Sequence, residues 1–162
     1  MRICALIFIS AILITSCSTT KNRNEKYLYG KFTWESWQKE ALWTDYKAEE
    51  YSPNEFLVGQ IKEVNSATKH KFILFAGNWC GDSKTEVPKI FKLFDQIGLD
   101  PSDYELWGVD RDKRDTSGYA DRMDIDKVPT LIIYVNGKEK GRIVEFPKTT
   151  WEEDLLQILI RN

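Results

Sequence analysis

The apolar and polar positions in the second half of the chain fall into short blocks of two kinds. Residues 71–76, KFILFA, form a continuous apolar run with aromatic and β-branched side chains, typical of a strand buried on both faces. A helix is predicted over residues 81–97, with a kink at Pro88. Residues 104–109 predict a second strand, which ends in the charged loop DRDKRD. This order is typical of two parallel strands joined by a helix.

The last third of the chain predicts a hairpin and a closing helix. A helical segment is expected near residues 117–123, and Val128-Pro129-Thr130 opens the strand LIIYV. Asn136-Gly137 is typical of a two-residue hairpin turn, so a returning strand is expected at residues 141–146. A capping box at Thr150 then begins the final helix. From the first strand onward the order is β-α-β-α-β-β-α, which predicts an α/β fold with a mixed central sheet and helices on both faces.

The residues before the first of these strands carry mainly helical signals. In FTWESWQKEALW, Thr33 is a cap candidate, and a short amphipathic helix is predicted from the apolar positions Trp34, Trp37, Ala41 and Leu42. Residues 45–51 are expected to form an extended strand. The sequence SPNE at residues 52–55 is typical of a capping box with proline at the first helical position. It predicts a helix to about Ser66 whose apolar face carries Phe56, Leu57, Ile61 and Val64.

The first sixteen residues have the pattern of an export signal. The apolar run from Ile3 to Ile14 is 12 residues long, which is too short to span a bilayer and typical of a signal-peptide core. It ends in Ile14-Thr15-Ser16-Cys17, which resembles the lipobox of bacterial lipoproteins. The resemblance implies cleavage after residue 16 and attachment of lipid to Cys17. The alternative is an ordinary secretory signal cut nearby, with Cys17 incidental.

Composition and cysteine count limit which disulfides the chain can form and which partners it can bind. Removal of the signal would take Cys4, and lipid would occupy Cys17, so Cys80 would be the one free thiol and no intrachain disulfide could form. The net charge of −2, with both signs interspersed, argues against a nucleic-acid partner. The predicted organisation is a signal at 1–16, a polar tether at 17–26, a helical extension at 27–70 and a domain at 71–162.

Three motifs in this domain together resemble the thioredoxin family. Trp79-Cys80-Gly81 lies at a predicted strand-to-helix turn, Pro88 follows Ser83 by five residues, and Val128-Pro129-Thr130 opens a later strand. The resemblance covers about residues 71–160 and implies a thioredoxin-like three-layer sandwich. It also implies that Pro129 is cis and lies beside Cys80.

The sequence departs from the family pattern at two positions. Ser83 stands where these proteins carry a second active-site cysteine, and Leu74 stands where they carry a buried acidic residue. The resemblance implies that, in the dithiol proteins, this carboxyl takes up or gives the proton of the second thiol. Burying a carboxylate costs several kcal/mol, so a protein without that thiol gains nothing from it. The two losses are therefore consistent with each other and indicate a monothiol variant of the site.

The resemblance implies a lipid-anchored protein of the bacterial cell envelope, facing the periplasm or exterior, that carries out thiol–disulfide exchange. Cys80 would be the nucleophile, with its thiolate stabilised by the helix N-terminus and with Ser83 donating its hydroxyl to the sulfur. Trp79, Val128 and Pro129 would bind a protein substrate that carries a thiol or disulfide. An external thiol would have to resolve the mixed disulfide.

No cofactor or metal is expected. The chain offers one free sulfur, and His70, its sole histidine, precedes the first strand at the end remote from Cys80. An alternative is a non-catalytic binding module of the envelope that keeps the fold and uses the groove to hold a partner. An iron–sulfur or small-thiol carrier similar to monothiol glutaredoxins is disfavoured by Trp79 and by the signal, and no Thr and Arg pattern of a peroxidase is present.

Overall fold

The computed structural model describes residues 26–44 and 48–161, and the predicted signal, the predicted lipid-attachment site at Cys17 and most of the predicted tether lie outside them. Within the described ranges the chain forms five strands and five helices. The strands are β1 Gly30–Phe32, β2 His70–Ala76, β3 Tyr104–Gly108, β4 Thr130–Val135 and β5 Lys138–Val144. The helices are α1 Trp34–Glu40, α2 Glu55–Ala67, α3 Gly81–Ile97, α4 Tyr119–Arg122 and α5 Trp151–Ile160. None of these helices has the length and apolar character needed to cross a membrane.

The strands form one mixed sheet in the order β1-β3-β2-β4-β5. β2 and β3 are parallel, whereas β4 runs antiparallel to β2, β5 to β4 and β1 to β3. The ends of β2 and β3 and the start of β4 therefore meet at one edge of the sheet, which we name the Cys80 edge. The opposite edge, where β2 begins at His70, is the far edge. This architecture confirms the predicted α/β fold with a mixed central sheet.

Side chains that alternate along the strands fill two apolar layers, one on each face of the sheet. Phe72 and Leu74 of β2 pack in a large cluster with residues of α2, α3 and α5. Ile73 and Phe75 pack on the other face with α4 and the residues before β4. Leu74 is 1% exposed, which leaves no room for a hydrated carboxylate at this position. Helices thus cover both faces, as predicted.

The elements with strong local signals form where the sequence predicts them. α3 has the predicted bounds, contains Pro88, and ends at Gly98, whose φ of 76° is in the left-handed region that favours glycine. Asn136 and Gly137 both have positive φ, 50° and 75°, as the two-residue turn between β4 and β5 requires. This hairpin brings the end of β5 back to the Cys80 edge.

The N-terminal predictions need three corrections. The strand expected at residues 45–51 is wrong for its described part, because residues 48–51 form a turn closed by the Tyr51 N–H on the Ala48 carbonyl. The extra strand is β1, which the sequence did not predict. The cap of α2 is Asn54 rather than Ser52, since the Asn54 side chain accepts hydrogen bonds from two first-turn N–H groups.

The predicted apolar face of α2 is confirmed at Leu57, Ile61 and Val64, which lie in or against the core, but not at Phe56. Phe56 is 73% exposed, whereas Val58 and Ile61 face the core. Leu42 is likewise 82% exposed, because α1 ends before it and the chain turns at a positive φ of 57°. Both residues had been expected on apolar faces.

The segment that contains β1 and α1 is packed into the core by aromatic side chains. The rings of Trp34 and Phe91 stack with centroids 4.5 Å apart and planes 5° apart. Trp37 is fully buried between the rings of Phe32 and Trp43, which it meets edge-on. Aromatic pairs of this kind stabilise by about 0.5–1.5 kcal/mol beyond the area they bury. The tryptophans of this segment are therefore packing residues.

Candidate functional site

Cys80 is the N-cap of α3 and follows a tight turn at the end of β2. Its backbone N–H donates to the Gly77 carbonyl over 3.0 Å, and its φ and ψ of −88° and 126° are those of a cap residue. Gly77 is required at the start of this turn, because a Cβ there would lie 2.6 Å from the Trp79 ring. The Cys80 thiol is half-buried and is the one free cysteine in the described part of the chain.

The sulfur of Cys80 faces the residues that open β4. Sγ lies 3.3 Å from the Val128 carbonyl oxygen and donates a hydrogen bond to it. The Val128–Pro129 peptide bond is cis, as the resemblance implies. The Cys80 side chain accepts no hydrogen bond from the N–H groups of the first turn of α3. Cys80, Val128 and Pro129, which are distant in sequence, are thus brought together at the Cys80 edge.

Ser83 contacts this loop from the buried side. It is fully buried, and its Oγ accepts a hydrogen bond from the Gly77 N–H over 3.2 Å. The predicted hydrogen bond from Ser83 to the Cys80 sulfur does not form. The hydroxyl oxygen instead supplies the acceptor that the buried Gly77 N–H, just after the last residue of β2, requires. Ser83 therefore joins α3 to β2.

Trp79 lies over the end of β3. Its indole Nε1 donates to the Val109 carbonyl over 2.9 Å, and the Arg111 guanidinium carbon lies 5.0 Å from its ring centroid. The ring is half-buried and packs against the apolar cluster on the α4 face. Arg111 belongs to the loop DRDKRD, which Asp110 organises by accepting the N–H groups of Asp112 and Arg114. No sequence motif predicts the contact between Arg111 and Trp79.

Asn78 makes a contact that sequence reasoning missed. Its Nδ2 donates to the Lys26 carbonyl over 2.9 Å, and its Oδ1 accepts from the Leu28 N–H over 3.2 Å. Leu28 is 2% exposed. The start of the described chain is therefore fastened to the Cys80 loop, defined as residues 77–80. Only the asparagine beside the Trp-Cys pair could have suggested a loop contact, and nothing in the sequence identified its partner.

The cis-proline segment is itself fastened to the end of β5. The Pro129 carbonyl accepts the Glu145 N–H over 2.7 Å, and Thr130 Oγ1 donates to the Lys127 carbonyl over 2.7 Å. Lys127 and Glu145 form an ion pair at the surface. The rim beside Pro129 is continued by Phe146, which is 51% exposed. Strand pairing and side-chain bonds thus hold the residue opposite the thiol in place.

His70 takes no part in the site. It is the first residue of β2, at the far edge, and is 2% exposed. Burial first, and the charge of Lys140 second, lower its pKa from the usual value near 6.5. His70 and Cys80 therefore do not form a pair, as expected from their positions at the start of the strand β2 and beyond its end.

Comparison with known proteins agrees with this geometry. The thioredoxin family model matches residues 56–159, a range that begins within α2. The chain is 34% identical over 91 residues to thioredoxin of Mycoplasma genitalium, covering 56% of this chain and 83% of that protein. It is 34% identical over 79 residues to thioredoxin-2 of Saccharomyces cerevisiae, covering 49% and 70%.

The fold is also similar to that of a crystallised protein of unknown function from Pseudomonas aeruginosa. The TM-score is 0.50 at 12% identity, covering 82% of this chain and 90% of the other, which is a likeness of fold alone. The family match covers well over half of the chain, and the sheet, the cysteine at the helix N-terminus and the cis-proline agree with it. The chain belongs to the thioredoxin family.

Proposed function

We propose that this chain is a lipid-anchored, thioredoxin-like protein of a bacterial cell envelope that carries out thiol–disulfide exchange through Cys80 alone. The observation that carries the proposal is the half-buried Cys80 thiol at the N-terminus of α3, 3.3 Å from the carbonyl before the cis-proline. The family membership supports exchange chemistry at this position. The Ile-Thr-Ser-Cys sequence at residues 14–17 supports the anchor.

The reaction proceeds by attack of the Cys80 thiolate on a sulfur of a substrate disulfide. A bond forms between Cys80 Sγ and that sulfur, the substrate disulfide breaks, and the departing sulfur leaves with the electron pair as a thiolate. Loss of the Cys80 proton also releases the Val128 carbonyl oxygen, which can then accept an N–H from the substrate backbone. In this way the cis-proline segment holds the substrate beside the Cys80 sulfur.

The mixed disulfide persists until another thiol attacks it. Ser83 occupies the place of the second sulfur, but a hydroxyl does not displace a thiolate from a disulfide. Its Oγ is moreover buried and committed to the Gly77 N–H. An external thiolate must therefore attack the substrate sulfur, form a new disulfide there and return Cys80 as a thiolate. The partners are a protein substrate with a thiol or disulfide and this resolving thiol.

The exchange proposal is tested with oxidised glutathione and the reduced full-length protein. Intact-mass measurement should show one glutathione added per chain, and peptide mapping should place it on Cys80. The Cys80→Ser variant is the matched control and should take up none at this position. A wild-type protein that gains glutathione only after unfolding would contradict the proposal.

A second candidate is a binding module that keeps the fold without the chemistry. It is favoured by one observation: the Cys80 side chain accepts no hydrogen bond from the N–H groups of α3, so the helix offers a thiolate no direct donor. In such a module the groove beside Pro129 would hold a partner without a covalent bond. Partner capture that is equal in wild type and Cys80→Ser would support this candidate.

A further inference from the structure

The first described residues are fastened directly to the Cys80 loop. The Asn78 side chain bonds the backbone of both Lys26 and Leu28. Leu28 also packs so closely on the end of β3 that a Cβ at Gly108 would lie 2.1 Å from the Leu28 carbonyl oxygen. The segment is thus held from two sides, and one of its partners, Asn78, lies two residues before Cys80 in the sequence.

The direction of β1 shows where the chain enters the fold. β1 is antiparallel to β3, with Gly30 opposite Gly108 and Phe32 opposite Leu106. Because β3 ends at the Cys80 edge, the chain enters the domain at that edge and then runs toward the far edge. Lys26, the first described residue, therefore lies on the side of the domain where Cys80 lies.

The last helix, α5, ends at the far edge. The Leu159 carbonyl near the end of α5 accepts a hydrogen bond from Lys140, whose strand begins opposite the end of β4. α3 runs between the two edges, and its 17 residues span about 25 Å. A lipid anchor on the N-terminal side would therefore hold the Cys80 edge near the membrane, whereas one on the C-terminal side would hold the far edge near it.

From this geometry, and resting on the anchor and exchange chemistry proposed above, we infer that Cys80 is a membrane-facing site whose substrates are disulfides of proteins held at the same membrane surface. Cys17 precedes Lys26 by nine residues, a length of chain that reaches at most about 30 Å. Within that reach, a disulfide at the same surface has a high effective concentration at Cys80, and one in free solution has no such advantage.

The test compares two disulfides that differ only in where they are held. The native lipoprotein is placed in phosphatidylcholine vesicles with a lipid whose headgroup carries a pyridyl disulfide. The soluble probe is the same headgroup without its lipid chains. In both cases the Cys80 thiolate attacks, a disulfide forms with the probe, and the thiopyridone leaves with the electron pair and takes up a proton. The measured quantity is the ratio of the lipid-probe rate to the soluble-probe rate.

The matched variant carries about 30 Gly and Ser residues inserted after Lys21, which lengthens the tether without changing the domain. Its rate with the soluble probe should equal that of the native protein. The ratio should fall by about ninefold, because effective concentration falls as the −3/2 power of tether length. If the chain left from the far edge, the longer tether would instead leave the ratio unchanged or raise it.

Each way of failing has its own signature. An unchanged or increased ratio in the lengthened variant, with normal soluble-probe rates, overturns the membrane-facing site and leaves exchange intact. Absence of reaction with the soluble probe overturns the exchange function itself. An N-terminal peptide whose mass shows no lipid on Cys17 overturns the anchor, and the inference with it.

Discussion

The hydroxyl of Ser83 accepts a hydrogen bond from the backbone N–H of Gly77 over 3.2 Å, and both residues are buried. The bond joins the first turn of α3 to the residue that follows β2. The residue in the place of a second sulfur therefore has a structural part, which is to hold the strand and the helix together across the Cys80 loop.

Replacing this hydroxyl should destabilise the protein. Ser83→Ala leaves the buried Gly77 N–H without an acceptor, at a cost of about 1–3 kcal/mol in the free energy of unfolding. Denaturant unfolding of the two proteins measures the difference. The control is Thr85→Ala two residues further along the same helix, whose exposed hydroxyl should contribute no more than about 0.5 kcal/mol. Equal losses in the two variants would show that the Ser83 hydroxyl does not hold α3 to the end of β2.

A buried carboxylate ties the residues before α2 to the last helix. Glu152 is 4% exposed and accepts the Tyr51 hydroxyl over 2.7 Å and the Asn54 N–H over 3.0 Å. Burial, and after it the hydrogen bond to Glu152, raise the pKa of Tyr51. The raised pKa favours the protonated phenol, whose O–H donates a hydrogen bond to the Glu152 carboxylate.

Tyr51→Phe removes this donor from the buried carboxylate. Hydrogen bonds to charged groups stabilise by about 1.5–3 kcal/mol, so unfolding should become easier by an amount in that range. Tyr29→Phe is the matched control, because the Tyr29 hydroxyl is exposed and lies 3.4 Å from Asp110. Thermal unfolding should show a clear fall in Tm for the first variant and little change for the second. A Tyr51→Phe protein as stable as wild type would contradict the role given to Glu152.

His70 predicts a pH dependence of stability in mildly acidic solution. Its ring is buried at the start of β2, with Nδ1 3.2 Å from Asn65 Oδ1 and the cation of Lys140 on the neighbouring side. Burial, followed by the charge of Lys140, lowers its pKa below that of the unfolded chain. As the pH falls below about 6.5, the unfolded chain therefore takes up a proton that the folded protein resists. The free energy of unfolding should decrease with falling pH in this window and stay constant above it.

The His70→Gln variant isolates this contribution. It keeps a polar side chain at the far edge but does not titrate, so its free energy of unfolding should change less between pH 7 and about 5 than that of wild type. The measurement is denaturant unfolding at a series of pH values in this range. A wild-type curve that is flat across the window, or a variant curve that matches it, would show that His70 titrates equally in both states.

The parts of the fold that the sequence predicts are those with strong local signals. The apolar run of β2 excludes a solvent-exposed position, and Asn136-Gly137 accepts the positive φ values that a two-residue turn demands. α3 is bounded by Cys80 at its cap and by Gly98 in the left-handed region. In each case neighbouring residues alone determine the backbone.

The missed features depend on residues far apart in the sequence. β1 has three residues, one of them a glycine, and exists through its pairing with β3. The asparagine that fastens the Cys80 loop has its partners about 50 residues upstream. The cap of α2 failed for a different reason, since Ser52 and Asn54 are both good caps and the local sequence does not choose between them.

The lifetime of the Cys80 mixed disulfide distinguishes single-thiol exchange from dithiol exchange. The wild-type adduct with glutathione is isolated, freed of excess thiol, and followed by intact mass. We expect an adduct that persists until dithiothreitol is added, and an adduct of the Ser83→Cys variant that releases glutathione by itself and leaves an internal disulfide. Wild-type protein that sheds glutathione without any added thiol, or that never forms the adduct, would contradict single-thiol exchange at Cys80.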